Sequence, residues 1–246
     1  MTRPMVSVII PAYNRAGFLA AALESINAQG LAELEVLLID DGSTDELESL
    51  VQRSYSDSVR YFRQEHRGVS AARNRGILES RAEFIAFLDI DDAWPTGQLP
   101  VQLEALCSYP EAGIAQGLMR HVIESSEGAP FQSAPYRMPY LGSCLFRRWV
   151  FEQCGLFDES MECGEDYDFF FRCWERDVPK VHVENVSLLY RRHSGNLTAG
   201  KNGYAHLLVL KRRIERIKAG LVDPDSPRQS LFQTYIGDLT ALTTGA

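Results

Sequence analysis

From Val6 to Leu88, strand-like and helix-like runs alternate, and no other feature of the chain limits its fold as much. Val6–Ile10 (Val-Ser-Val-Ile-Ile) is a nearly continuous apolar run, the pattern of a strand buried on both faces of a parallel sheet. Phe18–Gln29 follows, with Leu19, Leu23 and Ile26 at helical spacing. A second strand is predicted over Glu35–Ile39. A Ser43/Glu46 capping box opens a helix over Glu46–Tyr55. Val59–Phe62 reads as a short third strand, Val69–Ser80 as a third helix and Glu83–Leu88 as a fourth strand. Strands joined through helices need right-handed crossovers, so the pattern predicts an α/β chain. Its core would be a Rossmann-like, mostly parallel central sheet flanked by helices.

After Trp94 the pattern loosens. Leu99–Cys107 reads as a helix and Ile114–Ile123 as a strand, while Glu127–Tyr140, with three prolines, reads as a loop. Short helices are expected over Arg148–Cys154 and Asp166–Glu175, and a late strand over Lys180–Tyr190. A basic amphipathic helix begins at Tyr204, with Leu207, Leu210, Ile214, Ile217 and Leu221 on one stripe. The division this suggests is a main domain over residues 1–198 and a basic helical extension over residues 199–246. The main domain splits into a nucleotide-binding half (1–95) and an acceptor-side half (96–198).

Charge and cysteine content narrow the class. The net charge of −8 argues against nucleic acid as a partner, because phosphate contacts call for a basic surface. The acids are concentrated: residues 82–184 carry 18 of them against 7 bases, and residues 185–246 carry 4 against 9. Five cysteines with no CxxC pair read as reduced thiols of a cytoplasmic protein. No apolar run approaches the roughly 18 residues of a spanning helix. The late apolar stripe is expected to pack on the core or on a partner subunit, as in a homodimer. Its second reading is peripheral contact with the inner face of an anionic membrane.

In open α/β sheets ligands gather at the carboxyl ends of the strands. Three polar turns fall at such ends: Pro11-Ala12-Tyr13-Asn14-Arg15, Asp40-Asp41-Gly42-Ser43 and Asp89-Ile90-Asp91-Asp92. Clustered carboxylates repel one another unless donors or a cation compensate, and hard oxygen ligands favour Mg²⁺ or Mn²⁺. Taken singly, each of these acids has an ordinary reading as a turn residue. Their shared cleft is what weakens it.

The ordered set VSVIIPAYNR, LLIDDGSTD, GVSAARNRGI, FLDIDDAW, GLFDE, GEDYDFFFR and YRRHSGN resembles the family 2 glycosyltransferases, which have the GT-A fold of nucleotide-diphospho-sugar transferases. The resemblance covers roughly Val6 to Thr198. It implies that Tyr13 lies against the nucleobase, with Pro11 and Ala12 shaping the turn, and that Asp41 accepts from the base ring, favouring uracil or thymine. It implies that Arg73 reaches the base or diphosphate, with Asn74 nearby. Asp91 would meet the ribose or the metal, and Asp92 would ligate the metal bridging the diphosphate. Asp89 would complete the metal motif, with His193 a metal or phosphate contact. Asp166 would be the general base of an inverting transfer from a UDP- or dTDP-sugar to a glycan or lipid-linked acceptor, in cell-surface polysaccharide synthesis. Glu165 is the runner-up for the base or a contact to acceptor hydroxyls. Because the sequence ends soon after the transferase core, the added domains of processive relatives are not expected, and the expectation is transfer of one or a few sugars.

Two competing readings stand beside this one. A sugar-phosphate nucleotidyltransferase shares the nucleotide cleft but carries a glycine-rich basic loop where this chain has Pro11-Ala12-Tyr13-Asn14. A non-catalytic sugar-nucleotide-binding module is the other.

Overall fold

The computed structural model describes residues 3–123, 130–193 and 202–223. The predicted alternation builds its first half: β1 (Val6–Ala12), α1 (Leu19–Asn27), β2 (Leu34–Asp40), α2 (Leu47–Ser54), β3 (Arg60–Arg63), α3 (Val69–Glu79) and β4 (Phe84–Phe87). β1 lies between β2 and β4, with β3 outside β2, and all four strands are parallel. The period-two geometry of a strand divides the apolar run between two cores. Val6, Val8, Ile10 and Ala12 join Leu19, Leu23, Leu47 and Val51 beneath α1 and α2. Ile9 joins Leu37, Ile39, Ile85, Phe87 and Ile77 on the opposite face, beneath α3. Burying a side chain of this size contributes about 1.5–3 kcal/mol, and a one-residue slip would exchange the faces, so the run sets its own register. Ser7 is the polar exception in β1. Its buried hydroxyl donates to Glu35 Oε1 at 2.6 Å and accepts from the Ala82 N–H.

The second half is α4 (Gln98–Ser108), β5 (Ile114–Ile123), β6 (Phe131–Gln132), β7 (Cys144–Arg147), α5 (Trp149–Cys154), α6 (Glu165–Glu175), β8 (Lys180–Arg192) and α7 (Asn202–Lys218). The sheet runs β3-β2-β1-β4-β7-β5-β6, with β8 also paired to β5. β7 is antiparallel to both β4 and β5, whereas β8 is parallel to β5. The sequence reading has no strand at β7. Four residues are too few to display a period, and its two neighbours in the sheet are what hold it extended.

Two local expectations are corrected. Ser43 does not cap α2, which begins at Leu47 with no side-chain bond from its N-cap residue. The Ser43 hydroxyl instead accepts the Asn14 N–H at 3.0 Å, and Asp45 Oδ1 accepts the Leu47 N–H. The competing partner is Asn14, held at φ 52°, which draws the turn after β2 toward the turn after β1.

The stripe on α7 does not pack on the core. Leu207, Leu210, Ile214 and Leu221 are 51–67% exposed. The opposite face docks α7 through charge. Arg216 bonds Asp168 at 2.7 Å and Glu175 at 2.8 Å, Arg212 meets Asp158 at 2.9 Å, and Arg213 lies 4.9 Å from the centre of the Trp174 ring. The basic tail thus neutralises part of the acidic middle. Among the described residues no helix is long and apolar enough to cross a membrane.

Candidate active site

The parallel arrangement of β1, β2 and β4 brings their three terminal turns to one edge. Asp41 N–H donates to Ala12 O at 2.8 Å, and Asn14 Oδ1 accepts the Thr44 N–H at 2.7 Å, so the first two turns are stitched together. Pro11 and Ala12 are buried there, while Tyr13 is 43% exposed. Asp40 is a structural anchor: buried, it accepts from the Ser43 N–H, the Tyr61 hydroxyl and Arg63.

Asp41 is 3% exposed and already has protein donors. It accepts the N–H groups of Arg67 and Gly68 at 3.0 and 2.8 Å and the side-chain amide of Gln64 at 2.8 Å. His66 Nδ1 lies 2.8 Å from Oδ2. A carboxylate partner makes that nitrogen the donor. The His66 ring also stacks on Tyr13, with centroids 4.0 Å apart and planes 21° apart. One imidazole therefore makes both contacts that the sequence reading assigns to a nucleobase: a stack on Tyr13 and an N–H to Asp41.

The three acids after β4 separate in space. Asp89 is held by Arg73 at 2.9 Å and by the Tyr140 hydroxyl at 3.0 Å. Asp91 pairs with His193 Nε2 at 3.0 Å, both side chains keeping part of their surface exposed. Asp92 is 1% exposed. Its Oδ1 accepts the Arg191 N–H, while Oδ2 is buried without a hydrogen-bond partner. Burial, and then the charge of Asp89, push the Asp91 carboxyl above its usual range and the Asp92 carboxyl well above it. The expected four-residue metal group is not gathered: among the described residues no three His, Cys, Asp or Glu side chains converge to hold an ion. Arg73 and Tyr140 draw Asp89 aside, and the bond to β8 turns Asp92 inward. What remains together at one point is one carboxylate and one imidazole, Asp91 and His193.

Arg73 on α3 links the two halves. It is 5% exposed, and its guanidinium bonds Glu165 at 2.6 Å and Asp89 at 2.9 Å above the Phe157 ring. The cleft's arginine is thus spent on two carboxylates. Asn74, expected near the donor, faces elsewhere: it donates to Phe157 O and Glu159 Oε1 and accepts the Phe157 N–H. Both ends of its amide pin the Gly155–Glu159 segment to α3, which makes it a positioning residue.

Glu165 and Asp166 open α6, where Gly164 in the left-handed region (φ 78°) turns the chain into the helix. Asp166 accepts the Tyr167 N–H at 2.8 Å. Burial, followed by the charge on Glu165, raises its carboxyl to about 7, with Arg73 opposing the rise. Two carboxylates therefore have different environments, one neutralised by arginine and one poised near neutral pH. Sequence reasoning missed His66 and Tyr140. Neither sits in a spaced motif, and only the fold brings them to Asp41 and Asp89.

The strand order, with polar turns at the carboxyl ends of its parallel half and a helix-borne carboxylate pair opposite, defines the GT-A class of nucleotide-sugar transferase folds. Residues 7–158 match the family model described as Glycosyl transferase family 2, and the chain belongs to that family. The match ends before α6. The minor teichoic acid biosynthesis protein GgaA of Bacillus subtilis is 30% identical over 210 residues, 76% of this chain and 47% of GgaA. S. aureus TarS 1–349 in complex with UDP-GlcNAc aligns with a TM-score of 0.67 at 19% identity, over 83% of this chain and 65% of that one. The mannosyltransferase PcManGT from Pyrobaculum calidifontis, in complex with GDP-Man and Mn²⁺, aligns at 0.69 with 19% identity, over 87% and 65%. At these identities the two structures speak for the fold alone. The chain spans less than two thirds of the length of the first curated relatives it matches.

Proposed function

We propose that the chain is an inverting glycosyltransferase that moves a sugar from a UDP- or dTDP-sugar to a hydroxyl of a glycan or lipid-linked acceptor, in the synthesis of a cell-surface polysaccharide. The observation that carries this is the Asp89–Arg73–Glu165 chain of ion pairs, which ties the donor-side acids to the start of α6 and leaves Asp166 as the neighbouring proton acceptor. The base takes over the position of His66, with its ring on Tyr13 and its imide N–H on Asp41. Asp91 and His193 would hold a divalent cation, which supplies charge stabilisation to the departing diphosphate. Asp166 accepts the proton of the acceptor hydroxyl as that oxygen bonds the anomeric carbon. The bond to the nucleotide diphosphate breaks with its electron pair on the leaving oxygen, and the anomeric centre inverts.

Calorimetric titration tests the donor side. Wild type binds UDP more tightly with Mn²⁺ than without, and more tightly than GDP. Asp91→Ala loses the Mn²⁺ increment, about tenfold or more in affinity, as for removal of one charge-assisted contact. An increment of full size in the variant refutes Asp91 as a ligand, and preference for GDP refutes the base assignment. Release of pyrophosphate from a nucleoside triphosphate and a sugar phosphate would favour the nucleotidyltransferase instead.

The outward stripe of α7, with exposed Lys211 and Lys218 on the same helix, supports peripheral contact with an anionic membrane surface. The protein is expected to float with phosphatidylglycerol vesicles at low salt and to be released by salt. Absence of flotation removes membrane contact from the proposal without touching the chemistry.

A further inference from the structure

Two buried acids on α6 take cations from α7. The side chains of Asp168 and Glu175 are each 3% exposed, and two helical turns place them on one stripe of α6. The Arg216 guanidinium reaches both: Nη1 donates to Asp168 Oδ1 at 2.7 Å, and Nε donates to Glu175 Oε2 at 2.8 Å. Arg213 adds a second cation 3.8 Å from Glu175. Asp168 also has a local partner, Arg172 at 2.9 Å, but among the described residues both cations beside Glu175 come from α7. A buried carboxylate without its cation is strongly unfavourable, so the two helices are complementary and their docking is not incidental.

The contacts of α7 extend to the segment that leads into α6. Arg212 meets Asp158 at 2.9 Å and donates to the Ser160 hydroxyl. Arg172 donates to the carbonyls of Cys154 and Gly155, and Asn74 pins the same segment from α3. Both α6 and α7 lie outside the residues matched to the family model.

The candidate base depends on these ties, because its own bond is local. The Asp166 carboxylate accepts the N–H of the next residue, Tyr167, so its place is that of the first turn of α6. In that turn the Asp168 N–H donates to Gly164 O at 3.0 Å. Asp168 is therefore both a main-chain link of the turn and the side chain by which Arg216 holds it. Misplacing a reacting group by about 1 Å can cost on the order of 10²-fold in rate, so such a hold matters to the chemistry.

We infer that α7 belongs to the catalytic unit: Arg216, supported by Arg212, is a positioning residue that fixes the first turn of α6 through Asp168 and so sets where Asp166 stands beside Glu165. This deepens the proposed function and rests on Asp166 being the base. α7 then acts on proton acceptance and leaves the nucleotide site alone.

Carbon-13 NMR of aspartate-labelled protein tests it, the Asp166 resonance being identified by its loss in Asp166→Asn. The wild-type carboxyl should titrate with a midpoint of about 7, raised by burial and the charges of Glu165 and Asp89 against the pull of Arg73. In Arg216→Met the loosened turn admits water, and the midpoint should fall by about one unit or more. The direction decides the matter. Loss of the Arg216 charge alone would raise a carboxyl midpoint, so a rise overturns the positioning role, as does an unmoved midpoint with a lowered melting temperature. Arg216→Lys should fall between the two, since a point charge cannot span Asp168 and Glu175 as the guanidinium does. Arg212→Met breaks a more exposed pair and should shift the midpoint the same way by less; it carries the test if Arg216→Met does not fold. UDP affinity with Mn²⁺ should stay within about twofold of wild type throughout, and a parallel loss also overturns the assignment. A wild-type midpoint in the usual carboxylate range would refute Asp166 as the base and this inference with it, whereas a midpoint of about 7 that no variant moves refutes the role of α7 alone.

Discussion

Asp166→Asn is expected to lower sugar transfer by about 10²–10⁴-fold, the usual contribution of a positioned general base, while UDP affinity with Mn²⁺ stays within about twofold of wild type. The pH profile makes the assignment specific. With the Asp166 carboxyl raised to about 7, the base is protonated below that pH, so wild-type kcat rises as pH rises through about 7. In Asp166→Asn that acid limb disappears from the residual rate. Stability should move the other way. A carboxyl whose folded value lies above its unfolded one stabilises the protein while protonated, and loses that contribution as pH rises through about 7. Above that pH the uncharged amide avoids burying a charge, so the variant should melt no lower than wild type at pH 8. Parallel loss of UDP binding and turnover, or an acid limb that survives the substitution, would exclude Asp166 as the base.

Arg73→Met should produce the largest loss of stability. The guanidinium is buried between Asp89 and Glu165, and removing one partner of a buried charge network typically costs about 3–5 kcal/mol. In a domain of this size that corresponds to a fall of roughly 10 °C in Tm. Methionine retains most of the packing on Phe157, so the loss reports charge more than volume. Arg73 also holds the Asp166 carboxyl down, and without it the acid limb should move to higher pH. A melting temperature within one or two degrees of wild type, or an unmoved limb, would show that Arg73 does not couple the two halves. Glu165→Gln separates the effects, since it removes one of the two carboxylates that Arg73 compensates and one of the charges that raise Asp166.

How far the sequence reaches can be judged from particular elements. β1 is legible because seven consecutive buried residues leave no other way to satisfy both faces. β5 is read with the bounds the structure shows, Ile114–Ile123. β7 and the site contacts of Tyr140 and His66 are not legible, because nothing local encodes them. β7 is a strand by virtue of β4 and β5, and Tyr140 reaches Asp89 from 51 positions away. The amphipathic pattern of α7 is visible in the sequence, but the side it presents to the protein is not. Apolar spacing suggested the stripe, whereas the arginines meet the buried acids Asp168 and Glu175.

The motif order, the alternation of elements and the edge of the sheet where the acids gather all follow from neighbours in the chain, because local periodicity and crossover handedness dictate them. Which acid does what does not follow from them. Asp89, Asp91 and Asp92 lie within four consecutive residues, yet one is bound to Arg73, one to His193 and one to the main chain of Arg191. Those partners arrive from α3 and from the segment at and just beyond β8, and an ionisable group takes its character from the charges and burial around it. A linear motif records that the carboxylates are present; the surrounding fold assigns each its role.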